Sequence, residues 1–205
     1  MPYQEIRDRF PIPKDSTILS RYFTKQKLQL FINNSNLYLR RVDLFPQLDE
    51  IILSLRDKEW IRRRHEHTGK DDWKEQAQKE IDINESLKNC SFINCWTYEY
   101  SELRKFWEDY GESNDAVMIR TSMKKLKQEV DKSEYQVKIA GVIYYDPFHD
   151  LLGIFNTTRM LARKPNDFSW EKEVRIIISR FLEKEVYPES FVIPINVAAL
   201  IDEIV

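Results

Sequence analysis

The stretch Trp170-Glu171-Lys172-Glu173-Val174-Arg175-Ile176-Ile177-Ile178-Ser179 carries the densest chemistry in this chain. Successive side chains of a strand point to opposite faces. A strand over 170–179 therefore predicts Val174, Ile176 and Ile178 on a core face, and Glu171, Glu173 and Arg175 together on the other. Two carboxylates and a guanidinium on one side of a strand form either an exposed salt-bridged edge or a polar pocket. In the pocket reading Glu173 acts on a sugar or ribose hydroxyl or as an acid–base group. Arg175 then orients it or holds an anion, because a guanidinium fork suits carboxylate and phosphate. Lys164, just before this strand, carries a further positive charge toward the same place.

Arg21-Tyr22 is a second candidate, a cation and a phenol at the end of an early strand and ahead of a helix. Such a pair grips a phosphate or stacks on a base, or else the arginine is structural and paired with an acid. Cys95 has apolar and aromatic neighbours and no adjacent His, so it reads as a buried, inert thiol; reactive cysteines sit in electropositive surroundings. Trp96, Trp107 and Tyr110 read most simply as core, and alternatively as one wall of a pocket. Two Cys and three His are too few for a zinc cluster without carboxylates, so no metal site is expected. With four Gly and neither a G-x-x-x-x-G-K nor a G-x-G-x-x-G motif, the usual glycine-rich phosphate loops are disfavoured. A net charge of −2 gives no global attraction to nucleic acid. The run Arg62-Arg63-Arg64-His65 is either a basic patch or a solvated helix face with pairs such as Glu59–Arg63; the solvated face is expected.

A chain of 205 residues, 42% hydrophobic and 32% charged, suits one globular domain with a real core. The opening MPYQEIRDRFPIP lacks the apolar region of a signal peptide, and no apolar run reaches ~18 residues, so a cytoplasmic protein with no membrane partner is expected. The most aromatic window, Phe92–Ser122, reads as a strand at Phe92–Trp96, a helix at Tyr100–Tyr110 with Leu103, Phe106, Trp107 and Tyr110 at helical spacing, a breaker at Gly111–Asp115, and a strand at Ala116–Ile119. Before it come a loose arm (1–15), a strand at Thr17–Tyr22, and a helix over Lys25–Asn33 capped by Thr24 with Leu28, Phe31 and Ile32 inside. A strand at Leu37–Val42 and a turn at Asp43–Glu50 follow. Residues 51–88 form a charged helical insertion, two helices parted by Thr68–Asp71 and anchored by Trp60 and Trp73. After the window, Ser122 caps a helix over Met123–Asp131. Then come a strand at Val137–Tyr145, a helix at Leu151–Arg163, a loop at Lys164–Phe168, the strand at 170–179, another at Phe191–Pro194, a helical turn at Asn196–Ile201 and a barely begun strand at Asp202–Val205. The sum is an α+β fold with a single mixed, mostly antiparallel central sheet of about six to seven strands and flanking helices.

In order and spacing these blocks resemble a bacterial and phage family known as domain of unknown function 2971. Its members open with a Tyr-Arg-Tyr-like segment and a Leu-Tyr-Phe strand, matched by Leu19-Ser20-Arg21-Tyr22 and Leu37-Tyr38-Leu39. They continue with a Ser-Cys-Trp/Phe-Ser strand, a Glu-Ser-x-x-Met-Trp-x-x-Tyr helix and a Gly-Val-x-Ile strand. These are matched by Asn94-Cys95-Trp96-Thr97, by Glu102, Phe106, Trp107 and Tyr110, and by Ala116-Val117-Met118-Ile119. A Val-x-Tyr strand is matched by Val142-Ile143-Tyr144. The closing Lys and Phe/Trp-x-x-Glu-x-Glu-x-Arg strand are matched by Lys164, Phe168, Glu171, Glu173 and Arg175. The chain departs from the pattern at Pro46-Gln47-Leu48-Asp49 and at Leu103, and it stops where members continue, so a short last strand is expected. The resemblance names no reaction, but it raises Arg21, Glu171, Glu173 and Arg175 as site residues.

The layout is also similar, by distant analogy, to that of ADP-ribosyltransferases, which need no glycine-rich loop. That analogy implies Arg21 on an NAD phosphate or ribose, Trp96 or Tyr38 stacked on nicotinamide, and Glu173 on a ribose hydroxyl, stabilising an oxocarbenium-like transition state. The chain departs from that layout in two places: Glu173 is followed by Arg175, and there is no Ser-Thr-Ser run, only Thr97. The expected function is an NAD-using, ADP-ribosyl-transferring or NAD-cleaving effector in toxin or antiphage defence, with Glu173, Glu171 and Arg175 catalytic and no required cofactor beyond NAD as substrate. Its ligand would meet Arg21, Tyr22, Tyr38, Trp96, Thr97, Trp107, Tyr110 and Lys164. The alternative is a non-catalytic nucleotide- or nucleic-acid-binding module. A metal hydrolase on Glu171 and Glu173 ranks last for want of a spaced acidic and His set. The oligomeric state is left open.

Overall fold

The computed structural model describes the backbone of residues 3–5, 11–45, 53–98, 104–110, 115–150, 157–180 and 186–205, with side chains from residue 11 onward in these spans except at 104, 109 and 110. Strand β4 (Ser91–Thr97) is the hub of the sheet. Along one edge it pairs throughout with β9 (Glu173–Ser179), Ser91 facing Ser179 and Thr97 facing Glu173. Beyond β9 lie β6 (Val137–Gly141), antiparallel to it, and β1 (Tyr3–Glu5), parallel to β6. On its other edge β4 meets two partners. Phe92 and Ile93 pair with β3 (Asn36–Arg41), which carries β10 (Ser190–Pro194). Thr97 pairs with Ser20 of β2 (Ile18–Thr24), which carries β5 (Ala116–Ser122) and then β11 (Glu203–Ile204). At this fork the Asn94 amide donates to the Tyr38 carbonyl at 2.7 Å and ties β4 to the β3 branch. The result is the expected α+β fold with a mostly antiparallel sheet. Among the described residues the sheet has nine strands against the six to seven expected: Tyr3–Glu5 pairs where a loose arm was expected, and the short last strand forms at Glu203–Ile204.

Each face of the sheet has its own core. Leu19, Phe23, Phe92, Trp96, Val174, Ile176 and Ile178 lie on one face, under α1 (Lys25–Asn34), α5 (Met123–Val130) and α7 (Val197–Leu200). Val42, Ile93, Ala140, Leu161 and Ile177 cluster on the other. A third core joins α2 (Leu55–Glu66) and α3 (Trp73–Ser86) through Ile61, Ala77 and Ile81. Local chemistry sets the helix starts: Thr24 accepts from the Lys27 N–H at 3.2 Å and Ser122 from the Lys125 N–H at 3.3 Å, as N-caps do.

Several boundaries differ from expectation. The stretch 1–15 is not a loose arm throughout, since Tyr3–Glu5 pairs with β6 and Asp15 accepts from Lys127 Nζ at 2.7 Å. Ile32 is exposed, so α1 buries only Leu28 and Phe31. Trp60, half-buried under Arg64, does pack against the core of Ile61, Ala77 and Ile81 that joins the helical pair, whereas Trp73 is half-buried under Lys74 and is not part of that core. Arg63 pairs with Glu59 and Arg64 with Glu80, which makes that basic run the solvated, paired face expected.

The run Val137–Tyr145 is two strands. β6 ends at Gly141, where an added Cβ would lie 2.0 Å from the Pro11 carbonyl oxygen, so only glycine lets that segment cross. Val142 still donates to the Glu173 carbonyl at 2.9 Å. The chain then leaves the sheet, and β7 (Ile143–Tyr145) pairs in parallel with β8 (Arg163–Pro165) as a separate ribbon. Arg163 to Pro165 are thus strand, not helix end and loop. Trp170 and Glu171 close a 3-10 segment, Asn166–Glu171, and Lys172 at φ 44° separates it from β9, which starts at Glu173 rather than Trp170. The turn at Pro46, the helix start including Glu102 and Leu103, the breaker at 111–114 and the helix half with Phe155 lie outside the described residues. Within the described residues these regions show α4 (Arg104–Tyr110) and α6 (Thr157–Leu161).

Candidate functional site

β9 runs between β4 and β6, and the β7–β8 ribbon covers its polar face. The exposed-edge reading of WEKEVR therefore fails: Glu171 and Glu173 are each 5% exposed and Arg175 is 2% exposed. The Arg175 Nε and Nη2 groups donate to the two Glu173 oxygens at 2.8 and 2.9 Å, and Nη1 donates to the Leu161 carbonyl at 2.9 Å. Lys164 Nζ lies 2.6 Å from Glu171 and 4.0 Å from Glu173. Thr97 donates to the Glu171 carbonyl at 2.5 Å, and the Glu173 N–H donates to the Tyr144 hydroxyl oxygen at 2.8 Å.

These charges decide the protonation states. Burial alone would push the Glu173 carboxyl up; the Arg175 guanidinium, its hydrogen bonds and Lys164 outweigh that and hold it below the usual carboxylate range. Glu173 is thus an anion with both oxygens engaged, not a proton donor at neutral pH. Burial pushes the Tyr144 phenol up, with the Glu173 and Glu171 carboxylates adding to the effect. Burial, then the Glu173 carboxylate, also pushes the Cys95 thiol well up, so it stays a thiol.

The ribbon has two working sides. Tyr144 and Lys164 are opposite one another and both reach the Glu173 network. Their neighbours Tyr145 and Arg163 turn the other way. Arg163 stacks on the Tyr145 ring at 4.2 Å and forms a buried ion pair with Asp57 of α2. Asp57 also closes the capping box of that helix, accepting from the Ser54 N–H at 3.1 Å and hydroxyl at 2.8 Å. Sequence reasoning passed over Arg163 and Asp57, and met Tyr144 only in the Val-x-Tyr match without placing it at the site. The signals were present: Ser54-x-x-Asp57 is a cap spacing, and Arg163-Lys164 follows the apolar Met160-Leu161-Ala162.

Register divides the expected site residues between the two faces of the sheet. Thr97 faces Glu173 and Ser20, and Cys95 faces Arg175, so these share the polar face. Tyr22, two residues from Ser20, lies on that face too. It stacks on Phe106 at 5.1 Å and meets Trp107 edge-on at 4.9 Å; Phe106 in turn contacts Trp170 at 4.8 Å. Arg21 and Trp96 point to the opposite face, into the main core side. The Arg21 guanidinium lies 4.9 Å from the Phe23 ring and 5.8 Å from the Trp96 ring. Among the described residues it has no carboxylate and no hydrogen-bond acceptor, and burial lowers its pKa to about 10. Beside it on the same face, the Trp96 Nε1 and Asn94 Oδ1 are buried without hydrogen-bond partners. Tyr38 stands exposed on β3, and the Tyr110 side chain lies outside the described residues.

Searches for a matching protein family, a similar curated protein and a similar solved structure find no match. Among the described residues no helix is long and apolar enough to cross a membrane, and no group of three His, Cys, Asp or Glu side chains is placed to hold a metal ion.

Proposed function

We propose that this protein binds a phosphate-bearing nucleotide through Arg21, as a nucleotide-binding module in the bacterial or phage conflict setting that its family resemblance implies. The observation that carries this reading is the half-buried Arg21 guanidinium, held between two aromatic rings and left without an anion among the described residues. A desolvated, unneutralised cation is costly, and an incoming phosphate offsets that cost through a charge-assisted fork. On the same face Trp96 Nε1 and Asn94 Oδ1 are a buried donor and acceptor left without hydrogen-bond partners.

The second reading is an NAD-cleaving or ADP-ribosyl-transferring enzyme. It is favoured by the ionised Glu173, set beside Thr97 and close to the Tyr22–Phe106–Trp107–Trp170 wall. Arg21 lies on the opposite face of the sheet, so in this reading it does not touch the ligand that meets Glu173.

Thermal shift and nicotinamide release with NAD separate the two. At 100-fold over Kd, NAD raises Tm by about 5–10 °C. Arg21→Met weakens binding by about tenfold or more, the loss expected for a hydrogen bond to a charged group. A shift without nicotinamide release fits the module. Release that Glu173→Gln abolishes, in protein that still folds, fits the enzyme. A folded wild type that shifts with neither NAD nor AMP sinks both.

A further inference from the structure

A cleft of about 1000 Å³ opens between α2 and the outer side of the β7–β8 ribbon, away from both faces considered above. Its walls are apolar and aromatic: Leu55 and Trp60 on the helix, Tyr145 and Phe148 opposite. Leu55 is 85% exposed and Phe148 80% exposed, so two large apolar side chains stand in water at one opening. Exposed apolar surface gathered at a concave site marks a place where something binds.

The charges around the opening specify what binds. Arg56, Lys58 and Arg63 line the cleft against one carboxylate, Glu59. Arg63 is taken by Glu59 and Lys58 by Glu85. The Arg56 guanidinium donates to the Phe148 carbonyl, and among the described residues no carboxylate meets it. A cation held by a neutral carbonyl, in a cleft also lined by Trp60, Tyr145 and Phe148, fits a ligand with a flat apolar body and one negative group. We infer that this cleft is a second binding site, for a small aromatic anion: a ring system stacked between Trp60 and Phe148, with its carboxylate, sulfonate or phosphate on Arg56. The size suits a single ligand of that kind, since such sites span roughly 300–1000 Å³.

The test uses 8-anilinonaphthalene-1-sulfonate as the fluorescent probe on the full chain. The wild type binds it with enhanced emission; Arg56→Glu weakens binding at least about tenfold through loss of a charge-assisted contact, and Phe148→Ser weakens it about tenfold through loss of ring burial and stacking. Arg62→Glu, on the same helix but not lining the cleft, leaves binding unchanged, and so does Arg21→Met, which keeps this site distinct from the proposed nucleotide site. Competition by 1-naphthoate identifies an aromatic acid as the source of the ligand chemistry, and competition by AMP a nucleotide; either supports the inference, and displacement by neither overturns it. Emission unaffected by Arg56→Glu and Phe148→Ser overturns it too. So does a dimer in sedimentation that Phe148→Ser dissolves, which would assign the cleft to a second copy of the chain.

Discussion

Replacing Arg163 with methionine lowers folding stability by about 3–5 kcal/mol, the cost of stranding one charge of a buried pair. Arg163 is 4% exposed and its partner Asp57 is fully buried. Asp57 cannot turn to water when the guanidinium is removed, because the Ser54 N–H and hydroxyl already fix its carboxylate at the start of α2. The urea midpoint falls while the denaturant slope stays near the wild-type value, since the same surface is exposed on unfolding. Combining Arg163→Met with Asp57→Leu restores most of the loss, because well-packed apolar residues replace a buried pair at little cost; the missing helix cap leaves about 1 kcal/mol unrecovered. A single Arg163→Met variant that loses less than about 1 kcal/mol would show that the pair is not buried as described.

Arg175→Met produces a loss of similar size at neutral pH, about 3–5 kcal/mol, and it changes the pH dependence. In the wild type the folded-state pKa of Glu173 lies below its unfolded value. Its contribution is complete above the unfolded value of about 4.3 and fades as pH falls through the folded value. Without Arg175, burial dominates, and Lys164 at 4.0 Å is the nearest remaining cation described for Glu173. The folded-state pKa then rises above the unfolded one, so protonation favours the folded form and stability is lost as pH rises through the raised pKa. The gap between variant and wild type narrows on moving from pH 7 to pH 5 in chemical denaturation. A gap constant over that range would mean that Glu173 is solvated or differently paired.

Much of the fold is legible in local pattern. Alternation places Val174, Ile176 and Ile178 in the core, and Thr24 and Ser122 announce the helices they cap. The strand–helix–strand window is visible because its periodicities change at its turns. The candidate site is legible only in part, because alternation within one strand says nothing about which face it shares with another. That depends on register: pairing Ser20 with Thr97 puts Arg21 beside Trp96 and away from Glu173, and a slip of one residue would reverse the arrangement. The break at Gly141 was equally hidden, since it is imposed by Pro11, a residue distant in sequence. The burial of WEKEVR follows from the ribbon laid over it, and the ribbon exists because the chain leaves the sheet at that break.

The adjacency of Arg163 and Lys164 on one short strand has a dynamic consequence. Their side chains hold opposite sides of the ribbon, one to the α2–α3 helices and the other to the Glu173 network. The ribbon cannot lift from either side without breaking a buried ion pair. Local opening there is therefore a single cooperative event, not a fraying of separate parts. In native-state hydrogen exchange the ribbon amides of Ile143 and Tyr145 and the α2 amide of Ile61 exchange with one shared opening free energy. Removing Arg163 splits that unit, so that the helices open at lower free energy than the ribbon; independent exchange already in the wild type would contradict the coupling.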